Sequence, residues 1–297
     1  MLKHYVQLAR PHHWVKNVVV FAGPLFALKL GDVSSVWNTL TVFFGFCLAS
    51  SAVYAINDTI DRKADARHPH KNHRPVASGA VSPGSASVFA ALLCVAGVGL
   101  VGLRLPQAVV YIVTGYVVLM LAYSAYLKER LILDVIILAI GFVLRAVAGA
   151  VAVEATISPW LIVCTLTLCM FLGFGKRRCE LASFESPEEA GTHRATLSRY
   201  TPELLNHLIS ISAGIAIITF LLYTMDRQPE YQPPFHKEYL LYTLPLVAYG
   251  LFRYTMLIES GSQAGPTEII LRDPPLLMTI ALWGVVALAI VLRTAGG

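Results

Sequence analysis

Long apolar runs alternate with polar loops along the whole chain. A helix needs about 20 residues to cross the hydrocarbon core of a bilayer, and nine runs come close to that length or exceed it. They cover residues 14–30, 36–57, 86–104, 108–127, 132–153, 157–175, 203–225, 237–257 and 275–294. Because backbone polar groups in lipid must be satisfied within the segment, helices are favoured. The pattern predicts an all-α, polytopic membrane protein with about nine transmembrane helices.

The composition agrees with this prediction and excludes several classes of protein. Of the 297 residues, 56% are hydrophobic and only 14% are charged, which differs from an ordinary soluble domain. No polar, basic domain is present, so we expect no nucleic-acid partner. The first apolar run carries no small-residue cleavage site and is expected to remain in the membrane. The five cysteines form no C-x-x-C pair, which argues against a zinc site or a disulfide framework.

Lysine and arginine are distributed unequally between the two predicted sides of the membrane. Of the 23, 17 lie at the N-terminus and in the loops after spans two, four, six and eight, five lie on the other side, and Arg145 lies inside span five. Since cytoplasmic loops are enriched in these residues, the N-terminus and these loops should face the cytoplasm. The opposite loop, from Asp226 to Lys237, holds no convergent polar set in the sequence. We therefore expect the chemistry on the cytoplasmic side.

Three carboxylates lie in residues 57–65, directly after span two; they belong to Asp58, Asp61 and Asp65. If the helix continues through this stretch, they point at roughly 0°, 300° and 340° around its axis and share one face. Charge at membrane depth is costly and usually functional, and clustered carboxylates suit Mg²⁺. We predict a magnesium site with these three ligands, with Asn57 supporting its geometry.

A cationic loop follows the aspartates, over residues 67–75. Positive charge here would also follow from the topology rule or from attraction to anionic lipid. Beside a metal site, the same charges would hold phosphates, and we favour that interpretation for Lys71 and Arg74. Arg62, which lies between the aspartates, is a further candidate. The histidines of the loop are interpreted as solvated or interfacial.

The N-terminal pattern Arg10-Pro11-x-x-Trp14-x-Lys16-Asn17 has two interpretations. In one, proline begins the helix, tryptophan marks the membrane interface and lysine reaches the headgroups. In the other, Lys16 and Asn17 face the same cavity as the aspartates and contact substrate.

Two further groups of polar residues carry the same ambiguity. Arg145 lies eleven residues after Asp134 in span five and either pairs with it or binds phosphate. After span six, Lys176, Arg177 and Glu180 either form a surface pair or a second side of the site built by the aspartates. We favour the second side, since the two clusters follow spans two and six on one membrane face. Tyr126 and Tyr200 are further substrate-contact candidates, and residues 259–275 are interpreted as a connector.

The motif Asn57-Asp58-x-x-Asp61-x-x-x-Asp65 after a second spanning helix resembles the first aspartate-rich signature of the UbiA superfamily of intramembrane prenyltransferases. The resemblance extends over nearly the whole chain. It implies one transmembrane domain over residues 1–297, with helices around a central cavity open to the cytoplasm and to lipid. It also implies Mg²⁺ bridging carboxylates and a diphosphate, in a protein of the cytoplasmic membrane.

One departure from the common family pattern is informative. Most members carry a second motif, D-x-x-x-D, after span six, where this sequence has Lys176-Arg177-Arg178-Cys179-Glu180. This is similar to the branch that transfers phosphoribose to polyprenyl phosphate, the decaprenyl-phosphate phosphoribosyltransferases of arabinan precursor synthesis. Cations in place of carboxylates would offset the additional phosphates of such substrates. Other features similar to that branch are the N-terminal pattern, the stretch from Lys128 through Asp134 to Gly141, and Leu271-Arg272-Asp273.

The branch implies transfer of 5-phosphoribose from phosphoribosyl pyrophosphate (PRPP) to a polyprenyl phosphate, with Mg²⁺ and release of pyrophosphate. A first alternative is an ordinary UbiA-type prenyltransferase that moves a prenyl group to an aromatic acceptor. A second is a transporter or lipid carrier with Asp58, Asp61 and Arg145 as an ion path, although no inverted repeat is evident. The sequence is compatible with an oligomer.

Overall fold

The computed structural model describes residues 2–67, 71–184, 196–260 and 266–294. Within these ranges all regular structure is helical, and eight helices are long and apolar enough to cross a membrane. This confirms the prediction of an all-α, polytopic membrane protein. Parts of three predicted loops, with His68, His70 and Arg194, lie outside the described residues: 68–70, 185–195 and 261–265.

Eleven α-helices follow one another along the described chain. They are α1 (Leu2–Ala9), α2 (Ala22–Phe26), α3 (Val33–Asp65), α4 (Pro83–Gly102), α5 (Gln107–Ala125), α6 (Leu133–Val151), α7 (Pro159–Leu181), α8 (Pro202–Met225), α9 (Leu244–Glu259), α10 (Pro266–Arg272) and α11 (Pro274–Arg293). Short 3₁₀ segments connect them at Pro11–Phe21, Lys29–Gly31, Leu127–Glu129, Leu197–Arg199, Pro229–Tyr231 and Lys237–Thr243. The last of these continues into α9 as one span.

The long helices begin where the sequence supplies a cap. Asp32 and Ser82 accept the N–H groups of Ser35 and Ser85 at the starts of α3 and α4. Thr201 caps α8 in the same way. Proline occupies the first turn of five of these helices, α4, α7, α8, α9 and α11. A first-turn N–H has no partner within the helix, so proline loses nothing there.

The first predicted span, residues 14–30, differs from a continuous helix. It consists of the 3₁₀ segment Pro11–Phe21, the short α2 and the 3₁₀ turn Lys29–Gly31. Pro24 lies in the first turn of α2 and lacks the N–H that a continuous helix would donate to the Val20 carbonyl. The segment packs closely on the second half of α6: a side chain at Gly149 would lie 1.9 Å from the carbonyl oxygen of Val20. Only glycine permits this approach.

The chain divides into two compact units. The first comprises Met1–Lys128 with Gly141–Ala155, and the second Glu129–Ile140 with Thr156–Gly297. In the first unit, α3 packs against α1, α4 and α5, and part of its core is formed by Leu8, Ala52, Ala55, Val76, Val81, Ala86 and Ala90. In the second unit, α7, α8 and α9 surround a core that includes Phe171, Phe174, Leu205, Ile209, Tyr254 and Leu276.

A buried polar cluster lies at the start of α7 and the end of α8. Asp226 accepts a hydrogen bond from Ser158 at 3.3 Å, and the amino group of the buried Lys237 lies 3.8 Å from the same carboxylate. Eleven residues between Thr224 and Leu241, Asp226 among them, also line a cavity of about 780 Å³. The expectation that the loop from Asp226 to Lys237 holds no convergent polar set was therefore wrong. The loop folds back through the turn Pro229–Tyr231, which periodicity along the chain does not reveal.

Asp273 gives a pH-dependent contribution to stability. It lies between α10 and α11, caps α11 through the N–H of Leu276, and accepts two hydrogen bonds from Arg253 at 3.1 and 2.8 Å. Hydrogen bonding from Arg253 is the main reason that the pKa of Asp273 lies below its ordinary value of 3.8. A carboxyl group with a lower pKa in the folded than in the unfolded protein stabilises the fold at pH values above its unfolded-state pKa. This stabilisation is lost as the pH falls through the folded-state pKa.

We therefore expect Asp273→Asn, which keeps the helix cap, to lower the thermal unfolding temperature at pH 7. The difference from wild type should shrink once the pH falls below 3.8. Thermal unfolding recorded across a pH series measures this. A difference that stayed constant down to pH 3 would contradict an ionic role for Asp273.

Candidate active site

The aspartate face predicted from the sequence is present in the first unit. Helix α3 continues to Asp65, well past the apolar part of the span. Asp58 is only 1% exposed and Asp65 is also buried, while the side chain of Asp61 is 27% exposed. Asn57 donates to the Asp61 carboxylate at 3.1 Å, and its supporting role at a metal site stays a prediction. Two buried carboxylates at the end of a spanning helix need positive partners.

Three cations from three different segments supply that charge. Arg10 lies 2.5 Å from one Asp58 oxygen. Arg74, from the cationic loop, lies 3.3 Å from the same oxygen and 2.6 Å from Asp65. Lys128, just beyond α5, pairs with Asp61. The face thus alternates carboxylates with cations, an arrangement that can exchange partners when a metal and phosphates arrive.

Arg10 and Lys128 were not among the site residues predicted from the sequence. Arg10 lies at the junction between α1 and the 3₁₀ segment in a left-handed conformation, with φ of 51°, and its guanidinium lies 5.2 Å from the Tyr54 ring centroid. Each is the first residue of a pattern quoted from the sequence: Arg10 begins the N-terminal pattern, and Lys128 begins the stretch that continues through Asp134 to Gly141. Their distance from α3 along the chain gave no sign that they pair with its aspartates.

The donor atoms on this face fit Mg²⁺. Among the described residues, no three histidine, cysteine, aspartate or glutamate side chains converge as a ready-made metal site. Mg²⁺, however, usually takes one or two carboxylates together with substrate phosphates and water. Asp58 and Asp65 can supply two such carboxylates close to one point, because Nη1 of Arg74 lies within 3.3 Å of both. One cation already bridges the two carboxylates.

Arg145 lies in a separate, buried network of the first unit. It donates to Asn17 Oδ1, to the Gly141 carbonyl and to the Tyr116 hydroxyl, each at 2.7 Å. The rings of Phe46, Tyr116 and Phe142 lie within 5.7 Å of its guanidinium carbon. Asn17 is 1% exposed and also contacts Cys47 and Ser50. These contacts favour a structural role for both residues.

The alternative that Arg145 pairs with Asp134 was wrong. Eleven residues of one helix separate them by about 16 Å along the axis, and the partner of Asp134 is Arg177. Sharing a helix face does not bring two side chains three turns apart into contact.

The other predicted substrate contacts are distributed over the surface. Lys16, Arg62 and Tyr126 are exposed, and Lys71 is half-buried. The structure therefore places Arg74 among the carboxylates and leaves the roles of these four as predictions.

The cluster after span six lies at the end of α7 in the second unit. Arg177 is 3% exposed and lies between two carboxylates: its Nε is 3.0 Å from Asp134, and its Nη1 pairs with Glu180. The side chain of Lys176 is 52% exposed and lies 3.8 Å from Glu180. Lys176 and the partly exposed Glu180 are thus the members that a substrate can reach, whereas Arg177 is enclosed.

Comparison with known proteins agrees with the residue patterns. Over 287 residues the chain is 32% identical to the decaprenyl-phosphate phosphoribosyltransferase of Mycolicibacterium smegmatis, covering 94% of this chain and 89% of that protein. It is 30% identical to the protein of the same name from Corynebacterium glutamicum, covering 94% of this chain and 83% of that one. A solved structure of a UbiA homologue from Archaeoglobus fulgidus bound to GPP and Mg²⁺ has a TM-score of 0.73, with 98% of each chain covered. At 18% identity this last similarity concerns the fold alone.

The family assignment rests on most of the chain. The sequence model of the UbiA prenyltransferase family matches residues 17–283, a range that includes α3 with its aspartates and α7 with its cationic end. Eight apolar helices and the fold similarity agree with this match. The chain is therefore an integral membrane protein that belongs to the UbiA prenyltransferase family.

Proposed function

We propose that this protein transfers 5-phosphoribose from PRPP to a polyprenyl phosphate and releases pyrophosphate. The observation that carries the proposal is similarity at 30–32% identity over 94% of the chain to two proteins named for that reaction. The charge on α7 supports the choice of branch. The exposed Lys176 at this end suits substrates that bring more phosphate than a prenyl diphosphate does.

The aspartate face of α3 is proposed to hold the donor. Asp58 and Asp65, with Asp61 beside them, would bind Mg²⁺ together with the pyrophosphate of PRPP. Mg²⁺ supplies positive charge that stabilises the leaving pyrophosphate. Arg10, Arg74 and Lys128 already contact these carboxylates, so they lie within reach of phosphate oxygens held at the same face. Lys176 is proposed to bind a further phosphate.

The bond changes require little proton transfer. The bond between the ribose anomeric carbon and the pyrophosphate oxygen breaks, and pyrophosphate leaves with the electron pair. As that bond breaks, the anomeric carbon gains oxocarbenium character, and a phosphate oxygen of the lipid forms the new bond to it. Because a phosphate monoester is already anionic near pH 7, the acceptor needs no general base. The chain's residues therefore act by binding, orienting and neutralising charge.

The orientation follows from the distribution of cations. We propose that the N-terminus and the aspartate face lie on the cytoplasmic side of the cytoplasmic membrane, where PRPP as a water-soluble donor would be supplied. The lipid tail would remain in the bilayer while its phosphate reaches the site.

A two-donor assay tests the proposal. Purified protein in detergent or lipid receives Mg²⁺ with either ribose-labelled PRPP and polyprenyl phosphate, or labelled prenyl diphosphate and an aromatic acceptor. We expect label from PRPP to enter the lipid fraction only when Mg²⁺ and polyprenyl phosphate are both present. Transfer from prenyl diphosphate and none from PRPP would favour the ordinary prenyltransferase alternative and contradict the proposed substrates.

A further inference from the structure

A buried chain of polar contacts joins the start of α6 to the end of α7 in the second unit. The Tyr200 hydroxyl donates to Asp134 at 2.8 Å and accepts the backbone N–H of Ile132 at 2.9 Å. Tyr200 and Asp134 are 3% and 0% exposed. Burial, with the adjacent Asp134 charge, raises the pKa of Tyr200, so its hydroxyl stays protonated and can donate at neutral pH. The other Asp134 oxygen lies against Nε of Arg177.

The backbone that Tyr200 holds is strained. Ile132 has φ of 69°, in the left-handed region that a β-branched residue rarely adopts. Such a conformation persists when surrounding contacts over-determine it. The hydrogen bond from the Ile132 N–H to Tyr200 is one of these contacts, and it sets the direction in which α6 begins.

The first turn of α6 is also fixed against α7 by close packing. A side chain at Gly173 would lie 2.6 Å from Val135 Cγ1, so the two helices approach closely one turn before Arg177. Asp134 and Arg177 meet beside this contact. The guanidinium therefore has little freedom, since its backbone and its principal partner are both fixed.

The exposed end of the same chain of contacts is the pair that a substrate can reach. Arg177 pairs with one oxygen of Glu180, and the other oxygen lies 3.8 Å from the Lys176 amino group. The buried guanidinium of Arg177 fixes the Glu180 carboxylate. That carboxylate in turn restricts the position of the long, flexible Lys176 side chain.

We propose that Tyr200 is a positioning residue for phosphate binding at the end of α7, acting through Asp134 and Arg177 on the Lys176–Glu180 pair. Arg177 is then an internal cation that orients the pair, and Lys176 is the cation that contacts phosphate. This deepens the function proposed above and rests on it. A purely structural tyrosine would affect the amount of folded protein, whereas a positioning tyrosine changes the affinity for one substrate.

The test is a double-mutant cycle with steady-state kinetics. We expect Tyr200→Phe to raise the KM for one of the two phosphate-bearing substrates about five- to tenfold and to leave the KM for the other unchanged. Lys176→Ala should raise the KM for the same substrate by at least as much. If Tyr200 acts through Lys176, the two effects are not additive, so the double variant should resemble Lys176→Ala alone.

Tyr254→Phe is the matched control. Tyr254 is a buried tyrosine of the same core, and its hydroxyl has no hydrogen-bond partner within the described part of the chain, so its removal should leave both KM values unchanged. If Tyr200→Phe does not fold, Asp134→Asn carries the same test, because it keeps the shape and removes the charge facing Arg177. A Tyr200→Phe enzyme that behaves like Tyr254→Phe, or effects that multiply in the double variant, would overturn the positioning role. A wild-type enzyme that does not use PRPP would instead overturn the proposed function.

Discussion

Replacing Asp58 by asparagine is expected to reduce transfer by about 10²- to 10³-fold in kcat, the usual effect of removing one preorganised electrostatic group from a transition state. Asp58 is the most deeply buried of the three carboxylates, and it contacts both Arg10 and Arg74. Asparagine keeps the shape but removes the charge that a divalent metal requires. The rate should remain low when Mg²⁺ is raised, which initial rates over a magnesium series would measure.

Asp32→Asn is the control for this variant. Asp32 lies at the other end of the same helix, where it caps α3 through the N–H of Ser35, and asparagine is an equally good cap. Rates should match wild type. An Asp58→Asn protein that is folded and retains more than about a tenth of the wild-type rate would contradict the role assigned to the aspartate face.

Replacing Arg145 by methionine is expected to destabilise the fold by about 3 kcal/mol, which is roughly 6 to 12 °C in unfolding temperature. The substitution leaves Asn17, Tyr116 and the Gly141 carbonyl without their shared donor in a buried place. The folded fraction should bind PRPP with an unchanged KM. Thermal unfolding in detergent and donor titrations measure the two quantities separately.

Arg104→Met provides the comparison for Arg145. Arg104 is exposed and contacts Asn38 at 3.1 Å, so its loss should change stability little. If Arg145→Met were as stable as Arg104→Met and raised the KM for PRPP instead, Arg145 would be a phosphate ligand and the structural interpretation would be wrong.

The aspartate face was predictable because its cause is local. Three residues at helical spacing share a face whenever the helix continues through them, and the charges at 57–65 gave no reason for α3 to end earlier. Arg74 was predictable for a similar reason, because it follows the aspartates closely in the chain. The number and type of apolar spans followed from length and hydrophobicity alone, except for the first, which is made of short helical pieces.

The partners of the charged residues were not predictable in the same way. Arg10 and Lys128 reach α3 from chain distances of 48 and 67 residues, and Asp134 meets Arg177 rather than Arg145. A single sequence gives the positions of charges but not the packing that selects among them. Arg177 illustrates this most clearly, since a residue that looks like an exposed phosphate ligand is enclosed between two carboxylates.

The mass of the lipid product tests the central claim most directly. Wild-type protein is incubated with Mg²⁺, PRPP and polyprenyl phosphate, and the extracted lipid is analysed by mass spectrometry while released pyrophosphate is quantified. We predict that the lipid gains one phosphoribosyl group for each pyrophosphate released, and that Asp58→Asn forms neither product at a comparable rate. If polyprenyl phosphate stays unmodified while the same preparation moves a prenyl group to an aromatic acceptor, the claim of phosphoribosyl transfer is contradicted.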